Sequence, residues 1–402
     1  MIFSKDKRKR KLSMKKLCFK LVALVLLFSV LLVPKHTAYA LEADDLFSSF
    51  TSDSYLLMDS DSNTILYGVN PNQKMPVASI CKLMTTLLTL ERIESGAIKL
   101  DDMFVASDYA CDAEGSQAFL DAGSEYSVRD LLKSVIVASA NDSAIVLAEN
   151  LAGTEDNFVK LMNEKAKVLN MANTAYSNAT GLPKANQYST ALDTAKLLKV
   201  VSKYDLYKED CKIWMDKLVH PSGRETELVN TNRLIKYYSP CVCGKTGFTD
   251  EAGYCLGAMA SKNDMNLIAV ALKCDGAPNR FKECMELFNY GFSNYENKKI
   301  VSNGEILNID LNVVGGKDSS VKLMALDDFY VINKIGDNKD IELRYELPSE
   351  VKAPRMAGDI VGKIVVLKKG VVLGEVNVGL QQDLEKKTYG DAIRKIFNSW
   401  EI

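Results

Sequence analysis

The apolar pattern changes period twice along this chain, and that change restricts the fold more than any other feature. Ser54-Tyr55-Leu56-Leu57-Met58, a polar turn from Asp59 to Asn63, and Thr64-Ile65-Leu66-Tyr67 read as a strand pair. After Pro76 the spacing becomes helical to about Ile93, and helical patterns recur at 128–151, 155–169 and 190–203. From 241 the period returns to that of a strand. Ala252 to Ala260, a turn at Ser261 to Asp264, and Asn266 to Leu272 form a hairpin, and a helix from Asn279 to Tyr290 follows. Strands at both ends of a helical middle predict one α+β domain, with residues 41–295 as its extent. Polar Asn294 to Lys299 reads as a linker. Beyond it, short alternating runs at 305–313, 319–325, 329–333, 340–346, 359–368 and 371–378 predict a small all-β sandwich over 298–380. Residues 386–402 predict an amphipathic helix, with Tyr389, Ile393, Ile396, Phe397 and Trp400 on one face. That face suits packing on the β domain. With Lys386, Lys387, Arg394 and Lys395 beside it, it also suits contact with an anionic membrane surface.

The first forty residues read as an address. Ten basic groups and one acid precede or flank the uncharged run Leu21 to Val33, and Ala38-Tyr39-Ala40 supplies small residues for cleavage. This is the pattern of a secretory signal peptide, 1–40, and it predicts an exported protein. The remaining residues hold 40 basic and 51 acidic groups, a net charge of −11. Such a body argues against nucleic-acid binding, which needs phosphate-neutralising Lys and Arg.

The composition also limits the chemistry. Residues 41–402 contain one histidine, His220, and no C-x-x-C pair, so a metal centre or metal cofactor is not expected. Eight cysteines remain after residue 40; an exported setting admits disulfides, while their apolar surroundings equally suit free thiols. His220 lies in a polar stretch with no G-x-S-x-G elbow to serve, which argues against a Ser-His-Asp triad. Lysine is the other base that activates serine, once burial lowers its pKa.

S-x-x-K recurs, at Ser13–Lys16 and Ser319–Lys322 among others, so the pattern alone says little. Ser79-Ile80-Cys81-Lys82 differs because it opens an apolar helix, where positions i and i+3 share a face. Ser139-Ala140-Asn141 follows as a polar island in an apolar run. Lys245-Thr246-Gly247 enters the β-rich region; a phosphate-binding loop ending at Gly244-Lys245-Thr246 would need glycine at 239, which is Ser239. The ordered triple, with separations of 60 and 106 residues, is far more specific than its parts.

On these motifs the chain resembles the low-molecular-weight penicillin-binding, serine-type D-alanyl-D-alanine carboxypeptidases. Lys245 to Tyr254, Asn178 to Pro183, Tyr188 to Ala191, Lys352-Ala353-Pro354 and Gly358 to Gly362 extend the likeness over essentially the whole length after residue 40. The resemblance implies a β-lactamase/transpeptidase-like domain, an antiparallel sheet with a helical subdomain, at the outer face of a bacterial cytoplasmic membrane or in the wall. It implies Ser79 as nucleophile, Lys82 as base and Ser139 as a proton bridge between Lys82 and Lys245. Asn141 would hold the substrate amide, and Lys245, Thr246 and Arg280 its carboxylate. Gly247 would keep the strand clear for the substrate, and the N–H groups of Ser79 and Phe248 would form the oxyanion hole. The implied partners are a peptidoglycan stem peptide ending in D-Ala-D-Ala and β-lactam inhibitors, with no cofactor. Cys81 stands where the family carries a small polar residue, and a thiol there is expected to be sensitive to oxidation. A β-lactamase needs a carboxylate in E-x-x-L-N, but Glu164 precedes Leu169-Asn170 by five residues. A D,D-endopeptidase with the same residues, and a non-catalytic wall-binding scaffold, are the alternatives.

Overall fold

The computed structural model describes residues 47–336, 341–391 and 393. The expected signal segment and most of the expected C-terminal helix, residues 392 and 394–402, lie outside them. Strands β1 (Ser54–Asp59) and β2 (Ile65–Val69) come first, and a 3-10 turn (Ala78–Cys81) then leads into helix α1 (Lys82–Glu94). Strands β3 (Met103–Val105) and β4 (Glu125–Ser127) flank helix α2 (Asp108–Cys111). Helices α3 (Val128–Val137), α4 (Asn141–Ala152), α5 (Glu155–Val168), α6 (Ala191–Val201) and α7 (Asp205–Cys211) complete the helical middle. A hairpin of β5 (Met215–Val219) and β6 (Glu225–Val229) and helix α8 (Leu234–Tyr237) precede β7 (Cys241–Thr249), β8 (Gly253–Lys262), β9 (Met265–Cys274) and α9 (Asn279–Asn294).

The ends meet in one antiparallel sheet of order β2-β1-β9-β8-β7. β9 lies between β1 and β8, and Leu267 to Leu272 are all fully buried, which accounts for their unbroken apolar run. β7 is left at the sheet edge. Helix α1 runs through the core, with Leu83, Met84 and Leu87 fully buried. Its buried threonines satisfy their hydroxyls on carbonyls, Thr85 on Ala179 at 2.7 Å and Thr89 on Thr85 at 2.9 Å. Ser127, Thr154 and Thr190 cap α3, α5 and α6 by accepting backbone N–H bonds three residues on.

The pattern at 128–151 predicts one helix, but the structure has two. Ser139 stands at φ +63°, a left-handed conformation that a continuing helix cannot hold, and the break turns its side chain out of the helical ladder. The expected linker also differs. Asn294 ends α9 and Tyr295–Val301 is a strand, β10, paired antiparallel with Phe329–Lys334. Its charged residues hid it, since Asn297, Lys298 and Lys299 lack the alternation of a half-buried strand.

Beyond β10 come β11 (Ile306–Val314), β12 (Ser320–Ala325), β13 (Phe329–Lys334), β14 (Ile341–Glu346), β15 (Glu350–Lys352), β16 (Ile360–Lys368) and β17 (Val371–Leu380). Six of these form a sheet of order β14-β16-β17-β12-β11-β15 around Leu323, Ile364, Val376, Val378 and Leu380. The molecule is therefore an α+β domain followed by an all-β domain. No helix among the described residues is long and apolar enough to cross a membrane. Leu87→Ala should lower the unfolding free energy by about 2–5 kcal/mol, because it empties a fully buried site on the central helix; urea denaturation followed by circular dichroism measures it.

Candidate active site

The structure brings the three sequence motifs to one cleft of about 420 Å³, lined by Ser79, Ser139, Asn141, Thr246, Gly247, Phe248 and Arg280 among others. Ser79 sits on the 3-10 turn that launches α1, and Lys82 is the first residue of the helix itself. The turn is held tightly. Ala78 has φ +48°, and Gly181 packs so closely that a Cβ there would lie 2.0 Å from the Ala78 carbonyl oxygen. Gly247 serves the same turn from β7, because a Cβ there would lie 2.5 Å from the Val77 oxygen. Its lack of a side chain thus accommodates the nucleophile-bearing turn, rather than only clearing a path for substrate.

Lys82 is completely buried. Its Nζ donates to Ser79 Oγ at 2.9 Å and to the Thr180 carbonyl at 2.7 Å. Burial strips the ammonium of water and pulls its pKa down to about 7, against smaller upward pulls from Cys81 and Asp142. Lys245 is likewise driven well below an ordinary amine, by burial first and by Lys82 second. Desolvation, and not repulsion between the two lysines, is thus the main cause at both.

Lys245 Nζ donates to Ser139 Oγ at 2.7 Å and to the Thr246 carbonyl at 3.3 Å. Ser139 therefore pairs with Lys245. The expected bridge onward to Lys82 is not made, and the 3-10 turn holds Lys82 on Ser79 and Thr180 instead. Asn141 Nδ2 donates to the Glu114 carbonyl, while its buried Oδ1 has no partner among the described residues. Next to it, the fully buried Asp142 carboxylate accepts the N–H groups of Ala118 at 3.0 Å, Leu120 at 3.1 Å and Ser143 at 2.8 Å. These bonds fix the loop that lays Gly115 and Ser116 along the cleft.

Arg280 Nη1 donates to the Gly247 carbonyl at 2.9 Å, and its guanidinium lies 5.3 Å from the Tyr254 ring centre. Buried Nε has no partner, and no carboxylate pairs with this arginine among the described residues. Phe248 stacks on Tyr254 at 4.3 Å and is half exposed at the mouth of the cleft. Thr231 is a lining residue that the sequence did not reveal. Its hydroxyl accepts from Thr246 Oγ1 at 2.6 Å, and only the polar triplet Asn230-Thr231-Asn232 hinted at a turn there.

Cys81 corrects an expectation. Its thiol is buried, donates to the Asn178 carbonyl at 3.3 Å and is pushed up to about 12, so it is not an oxidisable thiolate. All eight described cysteines are free. His220 is away from the cleft, buried between Tyr126 and Thr226 at 2.8 Å each.

Residues 40–276 match the D-alanyl-D-alanine carboxypeptidase family. The chain belongs to that family. It is a serine-type D-Ala-D-Ala carboxypeptidase, and residues 295–386 match the C-terminal domain of penicillin-binding protein 5. The carboxypeptidase DacF of Bacillus subtilis is 34% identical over 349 residues, covering 86% of this chain and 89% of that one. The structure of penicillin binding protein 5 from Haemophilus influenzae superposes with a TM-score of 0.72 at 30% identity, covering 84% of this chain and 98% of that one. A D-alanyl-D-alanine endopeptidase of Pseudomonas aeruginosa is 34% identical over 244 residues, covering 59% of this chain and 76% of that one. Within this family's cleft, Gly181→Ala should displace the Ala78–Ser79 turn and slow acylation by a fluorescent penicillin at least about tenfold, since near-ångström shifts of a nucleophile cost that much or more.

Proposed function

We propose that Ser79 attacks the carbonyl carbon between the two D-alanines of a peptidoglycan stem peptide, and that Lys82 takes its proton. The observation that carries this assignment is the 2.9 Å contact from a lysine Nζ that is wholly buried and lowered to about 7. At neutral pH a large fraction of such a lysine is uncharged and able to accept a proton.

As the Oγ–C bond forms, the carbonyl oxygen becomes an oxyanion facing the N–H groups of Ser79 and Phe248. The C–N bond then breaks, and the departing D-alanine nitrogen takes a proton from Ser139, which Lys245 resupplies along their 2.7 Å bond. Exchange with solvent in the cleft then returns Lys82 to its neutral form and refills Lys245. Water attacks the acyl-enzyme as Lys82 accepts its proton, and Lys82 passes that proton to Ser79 Oγ as the acyl bond breaks and the shortened peptide leaves. A β-lactam enters the same first step, but its leaving nitrogen stays tethered.

Substrate placement follows from the unsatisfied groups. β7 is an edge strand, so the peptide can add to it antiparallel. The terminal carboxylate then faces Thr246 and Arg280, and its negative charge favours the protonated form of Lys245 behind them; a forked guanidinium lacking a protein carboxylate suits that anion. The free Oδ1 of Asn141 can accept a substrate N–H.

We assign the signal segment to 1–40, the catalytic domain to 41–295, the β domain to 298–380 and an amphipathic C-terminal segment, with a membrane-facing role, to 386–402. The matched ranges 40–276 and 295–386 support the middle two. The basic, apolar pattern of the first segment and the one-sided pattern of the last support a place at the outer face of the cytoplasmic membrane. The assignment is tested by D-alanine release from a peptide ending in D-Ala-D-Ala, with Ser79→Ala and Lys82→Ala as controls. The full enzyme should release D-alanine, and each variant should lose at least about a thousandfold, as removal of an activated nucleophile or its base does. Undiminished release by folded Ser79→Ala would contradict it.

A further inference from the structure

A second groove, of about 580 Å³, adjoins the end of the cleft from which the upstream part of the substrate must leave. Its lining includes Lys74, Met75, Pro76, Lys184, Tyr188 and Glu251. Successive residues of two segments line the two spaces in turn. Gly181 and Leu182 line the cleft and Lys184 the groove, while Thr249 lines the cleft and Glu251 the groove. With the terminal carboxylate at Thr246 and the peptide antiparallel to β7, the residue preceding D-Ala-D-Ala passes Phe248 and Thr249 and reaches this groove.

The groove is built before any ligand arrives. Met75 and Ser189 exchange backbone bonds at 2.8 and 2.9 Å, tying its two walls together. The Gln187 side chain accepts from the N–H groups of Ser177 at 3.0 Å and Asn178 at 3.1 Å and donates to the Leu182 carbonyl at 2.8 Å, which fixes the loop between cleft and groove. Lys74 rests over the Tyr188 ring at 4.6 Å. Met75, Pro76 and Tyr188 give methylene groups an apolar surface. Lys74, Lys184 and Glu251 have no ion-pair partner among the described residues, so the groove offers unpaired charges of both signs.

Resting on the carboxypeptidase reading above, we infer that this groove binds the side chain of the residue preceding D-Ala-D-Ala, and that it selects a side chain whose end carries both an ammonium and a carboxylate. Glu251 meets the ammonium, and Lys184 with Lys74 meets the carboxylate. A lysine side chain of similar length would engage Glu251 alone and leave the two cations unmatched. Because these groups are open to water, the discrimination is modest, about fivefold, as for other exposed charge pairs.

The test compares D-alanine release from two pentapeptides, one with meso-diaminopimelate and one with L-lysine before D-Ala-D-Ala. The full enzyme should show a KM about fivefold lower for the first, with similar kcat. Lys184→Glu should abolish or reverse the preference, Lys184→Arg should keep it, and Glu251→Gln should raise KM for both peptides. Unfolding midpoints establish that each variant is folded. Equal KM values for the two peptides in the wild type, or equal losses on both in Lys184→Glu, would overturn the inference while leaving the carboxypeptidase reading intact. Release from neither peptide would overturn both.

Discussion

The interaction on which the rest of the site depends is the burial of the Lys82 amine against Ser79 and the Thr180 carbonyl. An ammonium removed from water and given no carboxylate to pair with is costly, and the amine answers by giving up its proton more easily. That single fact converts a residue that is charged at neutral pH into a base. It also explains why Lys82 stands at the start of a helix that is otherwise core, since Leu83, Met84 and Leu87 behind it keep water out.

The surrounding architecture serves to hold that pair in place. The positive φ of Ala78, the glycines at 181 and 247 and the broken helix at Ser139 are all locally unfavourable or restrictive choices. The glycines let backbone approach backbone closely around Ser79, and the break at Ser139 leaves its hydroxyl to Lys245. Asp142 pins the cleft loop with three N–H bonds, and Arg280 pins the edge strand through the Gly247 carbonyl while keeping Nε unpaired. The polar atoms left over, Asn141 Oδ1 and Arg280 Nε, are those for which a peptide end has matching groups.

Much of this was legible in the sequence, for identifiable reasons. Ser79 and Lys82 could be paired because i and i+3 share a helical face, and Ser139 and Asn141 stood out as polar residues in an apolar run. The α+β character of the first domain followed from strand patterns at both ends of a helical middle. Other parts left no mark. The Thr180 carbonyl that receives Lys82 is backbone, and Thr231 acts only once folding brings it to Thr246. The β5–β6 hairpin buries a single residue on each strand, Leu218 and Leu228, too little to alternate visibly. β10 was masked by its charges. The half-made bridge at Ser139 shows a further limit, because motif order places residues in one site without saying which hydroxyl each lysine takes.

The most direct test of the account is the pH dependence of Ser79 acylation by benzylpenicillin, measured as a second-order rate on the full chain. If the neutral Lys82 amine accepts the serine proton, the rate rises with pH through a midpoint at about 7. Below that midpoint it should fall about tenfold per pH unit, as a single protonation does. A rate that does not change across this range, or one that rises only near the ordinary lysine value of about 10.4, would show that burial of Lys82 does not supply the base.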